Sequence, residues 1–157
     1  MKFLFICTHN RCRSILAEAI CNYYGDGDIE AVSAGSSPAG QIHPLTLKAL
    51  KTLDIPTENL SSESWDAYED ADIDYIITVC DKAAKENCPV WFGRARQVHW
   101  GLSDPSSIDG DQESINAAFS QTIGILEKRI KQIKSWIGQG IEEDELFNRI
   151  KALAEEP

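Results

Sequence analysis

Four short apolar runs, separated by stretches of helical periodicity, constrain this chain more than any other feature. Lys2–Ile6, Ile29–Ser33, Asp74–Val79 and Arg96–Trp100 each read as strands. Ser14–Tyr24, His43–Leu53 and Glu113–Ile137 read as helices between and after them. In the first helix Leu16, Ile20, Tyr23 and Tyr24 share a face, and Gly25-Asp26-Gly27 ends it. Ile55-Pro56 stops the second. In the third, Ile115, Phe119, Thr122, Leu126, Ile130, Ile133 and Ile137 form one apolar stripe. Ser64–Asp70 reads as a short helix, and a polar C-terminal helix is expected over about 142–155. Strands alternating with helices need crossover connections, which build parallel sheets with both faces covered. The expectation is an α/β fold: a single-domain three-layer sandwich over 1–157, with a four-stranded parallel sheet.

In such sheets ligands bind beyond the carboxyl ends of the strands. Three reactive residues fall there: Cys7 after the first strand, Cys80 after the third and Asp104 after the fourth. The first is the most informative. Cys7-Thr8-His9-Asn10-Arg11-Cys12-Arg13-Ser14 connects a strand to a helix, with a thiol six residues before an arginine and a hydroxyl directly after it. Loop N–H groups, a helix N-terminus and one guanidinium can converge on a tetrahedral oxyanion. The same positive field favours thiolate over thiol and makes Cys7 a nucleophile.

The chain carries 25 acidic against 15 basic side chains, a net charge of −10. That balance argues against nucleic acid and against anionic membranes as partners. No apolar stretch approaches the roughly 18 residues of a membrane span. The N-terminal apolar run is too short for a secretory signal, so a cytoplasmic location is expected. Five cysteines in a reducing compartment point to catalysis, redox chemistry or burial rather than disulfides. There is no Cys-x2-Cys or His-x3-His pair, and no metal site is expected.

Cys7–Ser14, Ser33-Ala34-Gly35, Val79-Cys80 through Cys88-Pro89-Val90-Trp91, and His99-Trp100-Gly101-Leu102-Ser103-Asp104-Pro105 together resemble the low-molecular-weight protein tyrosine phosphatase family. Within it they look most like the arsenate reductases, over residues 1 to about 137. The resemblance implies Cys7 as nucleophile, Arg13 as oxyanion clamp and Asp104 as general acid. It implies Thr8, His9, Asn10, Arg11, Cys12, Arg13 and Ser14 as the oxyanion loop, with Asn10 and Ser14 holding its shape. Cys80 and Cys88 would be resolving thiols, and Asn10, Glu18 and Ser33 match a monovalent cation site of some members. No tightly bound cofactor is implied. The expected partners of a monomeric chain are an arsenate- or phosphate-like oxyanion and an external reductant, either thioredoxin or glutathione with glutaredoxin.

Phosphatase and reductase chemistry begin alike, with thiolate attack on a bound oxyanion and protonation of the leaving oxygen. A phosphatase then needs water, and a reductase a second thiol. Phosphatases of this family usually carry two tyrosines after Asp-Pro. Here Ser106 and Ser107 stand there, which favours a small inorganic substrate. The alternatives are a phosphatase, on phosphotyrosine or small phosphomonoesters, and a non-catalytic oxyanion or redox sensor using Cys7 and Cys12. The Cys80-to-Cys88 interval is one residue longer than in the thioredoxin-linked members, and Cys88-Pro89-Val90-Trp91 resembles the glutaredoxin-linked branch. Cys88 is expected on a polar, mobile segment. Cys12 is either loop packing or a trap for Cys7, and Cys21 a core filler. His43 and His99 read as structural or surface groups, and Asp109 and Asp111 as lesser candidates for the acid.

Overall fold

The computed structural model describes residues 1–156. Four parallel strands, β1 (Lys2–Ile6), β2 (Glu30–Ala34), β3 (Tyr75–Thr78) and β4 (Arg96–His99), form one sheet in the order β2-β1-β3-β4. Lys2 pairs with Glu30 and Ile6 with Ala34 on one side of β1. Ile6 pairs with Thr78 on the other, and Thr78 with His99. This register brings the carboxyl ends of all four strands to one edge, where the sequence places Cys7, Gly35, Cys80 and the chain leading to Asp104.

Phe3, Leu4, Phe5 and Ile6 are all fully buried, as expected of a central strand covered on both faces. Helix α1 (Arg13–Gly25) lies against β2 and the long α4 (Gln112–Gly138). Covered from two sides, it buries Ser14–Ala17 and Ala19–Cys21 and lacks a single apolar face. Tyr23, expected on the buried face, is 48% exposed and stacks edge-on against Tyr24. Cys21 is fully buried, as a core filler should be. Helix α2 (Pro44–Thr52) starts on His43, whose Nδ1 accepts from the Leu45 N–H at 3.1 Å, with Pro44 at the first position.

Beyond β3 lies α3 (Asp81–Ala84), a single turn, and then the 3-10 turn Val90–Arg94. The polar segment that carries Cys88 is exposed, and the chain is anchored again just beyond it. Trp91 and Phe92 are buried, and Phe92 stacks on Trp65 at 5.3 Å between ring centroids. Trp65–Tyr68 is one 3-10 turn rather than the longer helix expected over Ser64–Asp70. The polar helix α5 (Glu143–Ala152) buries Leu146 and Ile150, and the Ile150 carbonyl accepts from Trp100 Nε1 at 3.1 Å. Among the described residues no helix is long and apolar enough to cross a membrane.

Candidate active site

The loop after β1 is built so that its carbonyls face outward. Those of Thr8, His9 and Arg11 accept from the N–H groups of Ser37, Ala39 and His43 at 2.9–3.0 Å. Among the described residues, the N–H groups of residues 9–12 find no acceptor within the chain. Asn10 adopts a left-handed backbone, φ 44°, which turns successive N–H groups toward one concave point. Its side chain pays for that turn: Nδ2 donates to Ser14 Oγ (2.8 Å) and Ser33 Oγ (2.9 Å), and Oδ1 accepts from the Glu63 N–H (2.8 Å). Both Asn10 and Ser14 are completely buried. Helix α1 opens at Cys12 with no side-chain cap, so its first N–H groups remain open to an anion.

Arg13, the first residue of α1, and Asp104, beyond β4, complete the site. Arg13 Nη1 donates to the Leu102 carbonyl at 2.9 Å, and Nη2 lies 3.7 Å from Asp104 Oδ2. Asp104 Oδ1 accepts from both the N–H (2.9 Å) and the hydroxyl (2.6 Å) of Ser106, which fixes the carboxyl rotamer and leaves Oδ2 toward the guanidinium. Ser106 thus has a positive role beside the absence of a tyrosine. Asp111 instead caps α4 through the Ser114 N–H at 2.9 Å, and Asp109 is exposed. Neither competes with Asp104.

Cys7, 7% exposed, is coupled to Cys80, 3% exposed. That coupling, and then burial, push the Cys7 thiol up against the pull of Arg13. Cys80 is lowered to about 5, chiefly by Cys7 and against its own burial, with help from the N–H groups of Ala83 (3.4 Å) and Thr8. The two thiols are coupled, so that ionising one disfavours ionising the other, while the Arg13 guanidinium pulls toward a Cys7 thiolate. Cys12 belongs elsewhere. It lies against Thr46, Asp104 and Ser106, and burial pushes its thiol up. Cys88 is exposed, with its thiol 3.6 Å from the Glu86 carbonyl, outside the Cys7–Cys80 pair.

His9 is exposed, its Nδ1–H on the Ser37 carbonyl at 3.1 Å, and Arg11 is exposed. His99 bridges Thr78 (2.8 Å) and Asp81 (2.9 Å). Asn10, Glu18 and Ser33 do come together: Ser33 Oγ donates to Glu18 Oε1 at 2.6 Å. Asn10, however, presents its donor to this group, its oxygen being held by Glu63. The set is closed by its own hydrogen bonds and does not converge oxygens on a cation, so it does not fit one as arranged. Burial raises Glu18 to about 7, with Ser33 opposing and Glu63 adding to the rise.

Three contributors carry no sequence signal of their own: Glu63, the Leu102 carbonyl, and Glu86, whose Oε1 accepts from the Thr8 hydroxyl at 2.6 Å; Ser106 is marked in the sequence only by the tyrosine it replaces, not by its bond to Asp104.

Residues 2–145 match the sequence profile of the low molecular weight phosphotyrosine protein phosphatases. An arsenate reductase of Halalkalibacterium halodurans is 33% identical over 127 residues, 81% of this chain and 90% of its own. A thioredoxin-dependent arsenate reductase of Corynebacterium glutamicum superposes with a TM-score of 0.66 at 28% identity, covering 89% of this chain and 63% of the other. A low molecular weight phosphotyrosine phosphatase of Vibrio cholerae O395 shares the fold, with a TM-score of 0.71 at 19% identity over 90% and 99% of the two chains.

Proposed function

Because the chain belongs to the low molecular weight phosphotyrosine protein phosphatase family, with its oxyanion loop and a second buried thiol coupled to the nucleophile, we propose that it reduces arsenate to arsenite. The Cys7–Cys80 pair carries the reading. Hydrolysis of a cysteinyl phosphate has no use for a second thiol at that place, whereas expulsion of arsenite requires one.

Arsenate binds against the N–H groups of residues 9–12 and the Arg13 guanidinium. Cys80 takes the proton from Cys7, and the Cys7 thiolate attacks arsenic. Asp104, in its protonated form, gives its proton to the departing oxygen, which leaves as water. Cys80, returned to its thiolate by loss of that proton to solvent, then attacks Cys7 Sγ. The sulfur–arsenic bond breaks, its electron pair stays on arsenic, and As(V) leaves as arsenite while a Cys7–Cys80 disulfide forms. The Cys88 thiolate attacks Cys80 and releases Cys7, and an external thiol reductant returns the second disulfide to thiols. The Trp91 segment, like that of the glutaredoxin-linked branch, favours glutathione with glutaredoxin over thioredoxin as that reductant.

Arsenite release from arsenate, measured with each donor system, tests the proposal. Wild type should turn over, and Cys80→Ser and Cys88→Ser should each lose at least about 10²-fold, the usual scale for removal of a reacting group. Full activity in both variants sinks the reading. Hydrolysis of p-nitrophenyl phosphate with no arsenate turnover identifies a phosphatase instead.

A further inference from the structure

The segment that bears Cys80 and Cys88 is pinned to the oxyanion loop by one side chain. Glu86 Oε1 accepts from Thr8 Oγ1 at 2.6 Å, and that same hydroxyl is 3.8 Å from Cys80 Sγ. The Glu86 N–H bonds to the Ala83 carbonyl at 3.3 Å, and its own carbonyl is 3.6 Å from Cys88 Sγ. One residue therefore touches the loop with its carboxylate, α3 with its amide and the outer thiol with its carbonyl. We propose that Glu86 is a positioning residue that orders the two thiol exchanges, holding Cys80 on Cys7 while it keeps Cys88 back. This deepens the reductase reading and rests on it.

The geometry supplies the release. Cys80 Sγ caps the single turn of α3 by accepting from Ala83. Once Cys80 is bonded to Cys7 at the roughly 2.05 Å of a disulfide, its thiolate is gone and with it that acceptor. A lone turn without its cap has little to hold it, and the Thr8–Glu86 bond is the remaining tie. Opening it frees Cys88 from Glu86. Until then partial desolvation, together with the charge of the docked Glu86 carboxylate, keeps the Cys88 thiol up and therefore a poor nucleophile. In the second exchange Cys88 thiolate attacks Cys80 Sγ, the Cys7–Cys80 bond breaks and Cys7 leaves as thiolate. One disulfide replaces another with no net change in electrons.

The test avoids arsenate, so it stands or falls apart from the reductase assay. The full chain is treated with one equivalent of diamide, which oxidises two thiols to a disulfide and is itself reduced to the hydrazine. Disulfide pairs are followed in time by peptide mass spectrometry. Site-resolved labelling by monobromobimane reports each free thiol. Wild type should form Cys7–Cys80 before Cys80–Cys88. Glu86→Ala should slow the first disulfide about fivefold, the scale of one hydrogen bond, and speed Cys88 labelling. Glu86→Gln keeps the acceptor without the charge, so it should restore the first rate and leave Cys88 labelling fast. Thr8→Val, which removes the donor and leaves Glu86 intact, should slow the first disulfide as Glu86→Ala does. Urea midpoints within error of wild type establish that the variants are folded. Wild-type order and rates in both Glu86→Ala and Thr8→Val overturn the proposal, as does equal slowing in Glu86→Ala and Glu86→Gln.

Discussion

Cys7 and Cys80 lie 73 positions apart in the chain, yet their titrations are coupled. The Cys80 thiol is lowered to about 5 chiefly by Cys7, well below a free thiol. Cys7→Ala removes that partner and leaves Cys80 with the N–H groups of Ala83 and Thr8 and its burial. The midpoint of Cys80 alkylation against pH should therefore move upward, by more than the change caused by Cys21→Ala in the buried core. An unmoved midpoint contradicts the coupling. The residues that carry the chemistry were legible because their type and spacing are themselves chemical: a thiol, an arginine six positions on, an Asp-Pro after a strand. Their supports were not. Ser106, Glu63 and Glu86 are ordinary surface letters until the fold brings them to Asp104, Asn10 and Thr8, and the last two of those contacts cross 53 and 78 residues of sequence.

At the scale of elements, strand and helix positions followed from periodicity because burial in a parallel sheet dictates it. The failures fall where packing between distant segments decides. Just beyond the exposed Cys88 segment, Phe92 turns inward onto Trp65 within the 3-10 turn Val90–Arg94, a contact periodicity does not announce. The end of β2 meets the oxyanion loop more closely than any side chain allows. A Cβ at Gly35 would sit 2.4 Å from the Thr8 carbonyl oxygen and 2.6 Å from that of Cys7. Gly35 is also bridged to Ser64, its N–H on the Glu63 carbonyl at 2.9 Å, so it has little room to retreat. Gly35→Ala must push the Cys7–Thr8 backbone away, and Cys7 with it. Displacement of a reacting atom by about 1 Å costs on the order of 10²-fold. The expected outcome is a kcat reduced by about that factor in a variant that still unfolds cooperatively. A variant with wild-type kcat shows that the loop can absorb the methyl group.

The whole molecule shows the same economy: support for the site reaches far beyond the loop. Helix α5 lies behind Trp100, next to the acid loop, and holds it through the Ile150 carbonyl, while Arg129 covers the Trp100 ring at 5.1 Å. On the opposite side the Asn10–Ser33–Glu18 group is buried with a carboxyl whose folded value is about 7, against 4.5 ordinarily. Burial is the main cause, so the folded protein favours the neutral acid. Between these values the folded state binds more protons than the unfolded one, and stability must fall as pH rises from about 4.5 to about 7. Above 7 the cost is complete, on the order of 2–3 kcal/mol. Glu18→Gln keeps an acceptor for the Ser33 hydroxyl and carries no charge at any pH. Every other titrating group is common to both proteins and cancels in the difference. Urea unfolding near pH 8 should find the variant more stable by about 2 kcal/mol, and near pH 4.5 the two proteins should coincide. A difference that does not change with pH would mean that Glu18 is already ionised at little cost, which would return the Asn10–Glu18–Ser33 group to consideration as a cation site.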